Sequence, residues 1–367
     1  MEGISRPLIS LPKINLGHIH LLTDDVGLIQ HSYFCIPDRN YGYSSDDMGR
    51  ALVVLADIYN QDHKNDVLSL ITTYLSFLRH AQTKIGHFHN FMGFDRRFLD
   101  KEGSEDTLGR VIFGLGHVVE LASNDKMRAI AKNMIEKSSH LLENLKFPRA
   151  KAYTICGLYA ALKRSEDVSD PLRCILTKQS DELVSLYKDN RQKEWAWFEK
   201  EVTYGNASIC EALLLAFNLT KNLMYKKVGL TTLKFLTKCQ WNGEFFDLIG
   251  NEGWYAIGGK KAIYGQQPID AGYLTRAYVT AYEITGDRQY LDLAKYAFEW
   301  FFGRNRLDTP LYDSDTGAVS DGLDPDGVNS NCGAESVICF LLALLSLYRV
   351  SPKNNKGWGV LYTDTVP

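Results

Sequence analysis

The chain has 367 residues, with 41 Lys plus Arg against 44 Asp plus Glu and a formal net charge of −3. That balance supplies no basic field to hold a polyphosphate backbone, so nucleic acid is not an expected partner. The start lacks the apolar core of a secretory signal and no run reaches the roughly 18 apolar residues of a membrane span, so the expectation is a cytoplasmic protein without membrane contact.

Taken in chain order, six polar segments each run into a small-residue, apolar helix. They are Ser45-Asp46-Asp47-Met48-Gly49-Arg50, Ser104-Glu105-Asp106-Thr107-Leu108-Gly109-Arg110, Arg149-Ala150-Lys151-Ala152-Tyr153, Tyr204-Gly205-Asn206-Ala207-Ser208, Gln267-Pro268-Ile269-Asp270-Ala271-Gly272 and Asn331-Cys332-Gly333-Ala334-Glu335-Ser336. Amphipathic helices are predicted between them, near 66 to 83, 125 to 145, 170 to 188, 222 to 238 and 287 to 303. A helix apolar on all sides must be enclosed by others, whereas one with a charged face lies outside. Alternation of six inner helices with outer ones predicts an all-α fold, an (α/α)6 barrel or toroid, as one domain over 1–350 with a polar tail over 351–367. Aromatic and β-branched alternation at Trp195 to Thr203 and Glu244 to Ile263 predicts short β-hairpins in the rim loops.

The seven cysteines are an odd number, none in a C-x-x-C pair, which reads as reduced thiols. Neither His18-x-His20 nor His87-x-His89 has a Cys partner nearby, so no metal and no cofactor are expected. Gly258-Gly259-Lys260 lacks the remaining residues of a phosphate loop. The aspartates Asp313, Asp315, Asp321, Asp324 and Asp326 lack the Glu spacing of a calcium loop and read as solvated.

The long loops precede the inner helices and the short joints follow them, so a site is expected at the N-terminal ends of the inner helices. Adjacent Asp46 and Asp47 at a helix start can hold one carboxyl protonated and one ionised, as acid catalysis needs; plain N-capping by Ser45 or Asp46 is the competing account. Asp106 and Asp270 occupy the same position in later repeats, and Asp95 is a further acid. Arg50 and Arg110 share a helix face with their aspartates and can lock them or pair across to the next helix. Tyr43, Trp195, Trp197 and Trp254 offer faces for sugar rings, and His89, Asn90, Arg97 and Gln267 offer groups for hydroxyls. This combination predicts a glycoside hydrolase acting on an oligosaccharide through two carboxyls, one from Asp47 or Asp106 and the other Asp270. The alternatives are a noncatalytic carbohydrate-binding module, and an epimerase or isomerase drawing on His87 and His89.

The toroid pattern with acids at the inner-helix starts resembles the six-hairpin glycosidase superfamily. More locally, Leu22-Thr23-Asp24-Asp25-Val26-Gly27-Leu28-Ile29-Gln30-His31 followed by Gly42 to Leu52 resembles a bacterial helical domain found alone or joined to glycosyltransferases, with a Thr-Asp-Asp-Asn-Ala-Arg-Ala-Leu stretch where this chain has Ser45 to Leu52. The departures Ser45, Met48 and Gly49 keep both acids and the Arg. The resemblance implies carbohydrate metabolism, a glycosyltransferase as partner, and Asp24, Asp25, Gln30 and His31 as further residues facing the cleft.

Overall fold

In the computed structural model, residues 11–351 except 166 and 168 are described. The expected tail, with Trp358 and Tyr362, therefore lies almost wholly outside the described residues. Six inner helices follow one another round a ring: α2 (Ser45–Asp62), α4 (Glu105–Val119), α6 (Pro148–Leu162), α8 (Ala207–Thr220), α10 (Pro268–Thr285) and α12 (Ala334–Val350). Each packs on the next, and α12 packs on α2 to close the circle. The outer helices are α3 (Asn65–Ala81), α5 (Asp125–Leu142), α7 (Pro171–Asn190), α9 (Leu223–Gln240) and α11 (Arg288–Glu299), each against the inner helix before it. The short α1 (Gly17–Leu22) comes first in the chain but packs on α12, taking the sixth outer place.

Burial follows the sequence logic. α12 buries Ala334 and every residue from Ser336 to Tyr348, as an enclosed helix must. α5 buries Ala131, Met134, Ile135, Ser138 and Leu142, a stripe at helical spacing with Lys and Glu on the other side. The inner helices also approach closely through small residues. A Cβ on Gly116 would collide with the carbonyl oxygen of Gly157, and one on Gly157 with that of Ile112.

The joints 63–64, 221–222 and 286–287 after inner helices are short, while the segments 23–44, 82–104, 191–206, 241–267 and 300–333 before them are long. These long segments carry two-residue antiparallel strands. β1 (Ser32–Tyr33) pairs with β2 (Ile36–Pro37), and β3 (Tyr43–Ser44) with β4 (Phe91–Met92). β5 (Glu201–Val202) pairs with β6 (Tyr255–Ala256), joining the two segments expected to hold strands, and β7 (Leu323–Asp324) pairs with β8 (Gly327–Val328). No described helix is long and apolar enough to cross a membrane.

Candidate functional site

The N-terminus of α2 is set by its cap and by the loop beneath it. Ser44, not Ser45 or Asp46, is the cap: its hydroxyl accepts the Asp47 N–H at 3.1 Å. That frees both aspartates from capping. The Ser45 N–H donates to Asn90 O at 2.8 Å, and the Asp46 N–H to Asn90 Oδ1 at 3.3 Å, so the 88–92 loop is stitched to the helix start.

Two arginines divide the acids between them. Arg50 Nη2 lies 2.7 Å from Asp46 Oδ1 and 2.6 Å from Asp47 Oδ1, and Arg50 Nη1 bonds Glu335 on α12. Arg110 reaches across from α4 to Asp46 Oδ2 at 2.5 Å. Burial pushes both aspartates up. In Asp46 the Arg110 and Arg50 guanidiniums outweigh it and hold the carboxyl below its ordinary range. In Asp47 burial prevails over Arg50, with help from the Asp46 and Glu335 charges, and raises it to about 7. Neighbouring carboxyls with opposite protonation are the arrangement that supplies an acid beside an anion near neutral pH.

A cleft of about 280 Å³ opens over this cluster, with Asp46, Asp47, Arg50 and Glu335 on one side and Gln30, His31, Phe91, Gln267 and Asp321 around it. Glu335 is the most open of the three arginine-bound acids, its side chain 36% exposed against 16% for Asp46 and 8% for Asp47. It stands in the sixth repeat where Asp47, Asp106 and Asp270 stand in theirs. Applying the repeat rule to the last helix would have found it. Asp321 is also in the cleft wall, contrary to its reading as a solvated loop residue: its Oδ1 accepts the Gly333 N–H at 2.7 Å and the Ser336 hydroxyl at 2.6 Å, fixing the start of α12.

The other expected site residues separate into groups. Asp106 accepts the Tyr204 hydroxyl at 2.7 Å and has Arg110 at 3.9 Å, outside the cleft wall. Asp270 is 2% exposed and does not line the cleft. Its Oδ1 accepts from Asn206 Nδ2 at 3.2 Å, its Oδ2 has no partner, and burial raises it to about 7. Asn206 in turn accepts from Arg149, which also bonds Glu199, Thr203 and Tyr204.

Several expected ligands are used up as struts. His89 Nδ1 lies 2.9 Å from Asp100 O and its ring stacks on Phe98, while Asn90 holds the start of α2. Tyr43 is 1% exposed, and its hydroxyl donates to Asp24 at 2.7 Å. Trp197 is fully enclosed, and Trp195 is 5% exposed with its Nε1 donating to Glu199 O, so neither offers a free face. Bulk at these positions fills the space between helices. Trp254 is half-buried against Tyr204, with φ 52°. Asp25, Asp95 and Arg97 are exposed, and Asp25 pairs with Arg96 at 2.8 Å. Of the expected set, the structure brings Asp46, Asp47 and Gln267 together in the cleft, along with Gln30 and His31 from the family resemblance.

All seven cysteines are unpaired, and no group of three or more acid, His or Cys side chains among the described residues is placed to hold a metal ion.

No family model matches the sequence, and no curated protein sequence matches it. Solved structures do. A D-mannose isomerase superposes with a TM-score of 0.70 at 14% identity, covering 91% of this chain and 94% of that one. Cellobiose 2-epimerase from Bacillus thermoamylovorans gives 0.69 at 13% identity, covering 89% and 95%. The GH76 α-1,6-mannanase from Salegentibacter gives 0.61 at 10% identity, covering 90% and 96%. At such identities the likeness establishes the fold alone, an (α/α)6 toroid, on which both isomerising and hydrolysing enzymes are built.

Proposed function

We propose that this chain is a carbohydrate-active enzyme, a glycoside hydrolase in which Asp47 is the proton donor and Glu335 its partner. The observation that carries the reading is the split pair: Asp46 held ionised by Arg50 and Arg110, Asp47 raised to about 7, and both in the wall of one cleft with Glu335. Asp47 gives its proton to the glycosidic oxygen as the bond to the anomeric carbon breaks. Glu335 takes a proton from the water whose oxygen attacks that carbon. Arg50, bonded to both, balances the charge that Asp47 acquires. Asp270, the partner expected from the sequence, gives way to Glu335, and Asp106, the expected alternative to Asp47, gives way to Asp47, because Asp47 and Glu335 are in the cleft wall and the other two are not. A mannanase of this fold was trapped with α-1,6-mannotetrose as an inactive variant lacking two consecutive aspartates. Asp46-Asp47 is a consecutive pair of the same chemistry.

Incubation with α- and β-linked manno-, gluco- and galacto-oligosaccharides tests this. Asp47→Asn and Glu335→Gln should each lower turnover by about 10²- to 10⁴-fold with folding intact, and undiminished cleavage in both would refute the assignment. An isomerase is the second reading, favoured by His31 in the cleft wall and by the mannose isomerase and epimerase likeness. NMR of free mannose and cellobiose separates the two: a changed carbon 2 without cleavage, abolished in His31→Ala, marks an isomerase. Sugar binding with neither reaction marks a binding module, the form a glycosyltransferase partner would use.

A further inference from the structure

The sequence-derived stacking residues are mostly enclosed, yet a different set of rings stands open beside the cleft. Tyr33, Phe34 and Tyr41 are 68%, 52% and 54% exposed, and Phe91 is 42% exposed. Phe91 lines the cleft itself, and Tyr41 meets the cleft residue His31 edge-on with ring centroids 4.6 Å apart. Tyr33 and Phe34 stand edge to face at 5.0 Å on the β1–β2 hairpin.

Phe34 is held there against its own preference. Its φ is 53°, a left-handed conformation that a bulky side chain seldom adopts. The surroundings fix it: its N–H donates to Asn331 Oδ1 at 3.2 Å, and its carbonyl accepts the Cys332 N–H at 3.0 Å. Cys332 adjoins Gly333 of the cleft wall, so the strained ring is tied to the site by backbone. Strain that the surroundings over-determine at a site is a marker of use, and a ring kept in water gains nothing from packing.

We propose that this rim is an additional sugar subsite, in which Phe34 and Tyr41 stack on units of an oligosaccharide whose end lies in the cleft. The proposal rests on the carbohydrate reading above and deepens it to a substrate class: a chain longer than the cleft, engaged from one end. A cleft of about 280 Å³ lies just below the roughly 300–1,000 Å³ range of ligand pockets, so a longer glycan must leave it across the adjoining surface. In the chain, the polar residues Asp38, Arg39 and Asn40 lie between these rings, with Arg39 and Asn40 exposed, so apolar faces and hydrogen-bonding groups share one segment, as the two sides of a pyranose require. Ile36, paired with Tyr33 on the same hairpin, is 66% exposed and would also suit a protein partner, an outcome that the sedimentation measurement below separates.

The test uses the full chain carrying Asp47→Asn, so that binding is read without turnover, and calorimetric titration with manno- and gluco-oligosaccharides of one to six units. Affinity should rise with chain length. Adding Phe34→Ala or Tyr41→Ala should weaken the longest glycan by about 2- to 10-fold and leave the monosaccharide unchanged. Both rings are exposed, so melting temperature serves as the folding control. Length-independent affinity, or alanine variants that bind the long glycan normally, would overturn the subsite while leaving the hydrolase reading standing. Binding of no sugar at any length overturns both. Alanine variants that change the sedimentation coefficient but not glycan affinity would make the rim a protein contact and end the proposal.

Discussion

Arg50 on the first inner helix bonds Glu335 on the last, 285 residues away in the chain. The contact closes the ring where α12 meets α2, and the same guanidinium holds Asp46 and Asp47. Ring closure and site assembly therefore share one side chain. A toroid whose first and last helices are so far apart in sequence gains a specific, charge-assisted marker for that pairing.

Asp46 and Asp47 should then respond differently to the same change. Asp46 is ionised between two arginines, and its loss leaves buried positive charge uncompensated. Asp46→Asn is expected to cost roughly 3–5 kcal/mol in urea unfolding, the size found for breaking one side of a buried pair. Asp47→Asn removes a carboxyl that burial already disfavours as an anion, and stability at neutral pH should hold or rise. Equal losses in the two variants would show that the pair is not split.

Activity should carry the mark of the Asp47 proton. With Asp47 raised to about 7, turnover should fall as pH rises through that region, because the donor form is lost. The Ser44 hydroxyl, 2.9 Å from Asp47 Oδ2, favours the anion and draws the value down. Ser44→Ala should shift the basic limb of the kcat profile to higher pH, while costing about 1 kcal/mol of helix stability through the lost cap. A limb that moved down, or not at all, would detach Asp47 from the donor role.

The fold was legible because the periodic signal is long and redundant: six apolar helices, five two-sided ones and polar segments ahead of each inner helix leave few other packings. The sixth outer position was not legible, since α1 comes from the opposite end of the chain and only closure shows where it goes. Within the site, Asp46 and Asp47 stood out as a local pattern. Glu335 did not, because its partner Arg50 is remote in sequence, although its place in the sixth repeat was a usable signal. Trp195, Trp197 and Tyr43 misled for one reason: a large ring in a loop reads the same whether it faces water or fills the gap between helices.

Close packing of the inner ring predicts sensitivity at positions that touch no ligand. Gly116→Ala would drive a methyl group into the backbone carbonyl of Gly157, which cannot rotate away. The expected loss is at the upper end of the about 1–3 kcal/mol typical of overpacking, read as a lower urea midpoint. An unchanged midpoint would mean that α4 and α6 can separate without cost, and that the ring is looser than its contacts imply.

Asp270 gives the sharpest pH test of stability. Its carboxyl is buried, one oxygen takes Asn206 at 3.2 Å and the other has no partner, and it is raised to about 7 from a usual value of 3.8. Between those values the folded state keeps a proton that the unfolded chain has released. Stability contributed by this group therefore falls as pH rises from about 4 to about 7, and the deficit is complete above 7. Asp270→Asn retains an oxygen for Asn206 and removes the buried charge. The variant should match the wild type in melting temperature at pH 4 and exceed it by a few degrees at pH 8. An advantage that is equal at both pH values would show that Asp270 is not protonated in the folded protein at neutral pH, and a loss at pH 8 would show that its anion is stabilised.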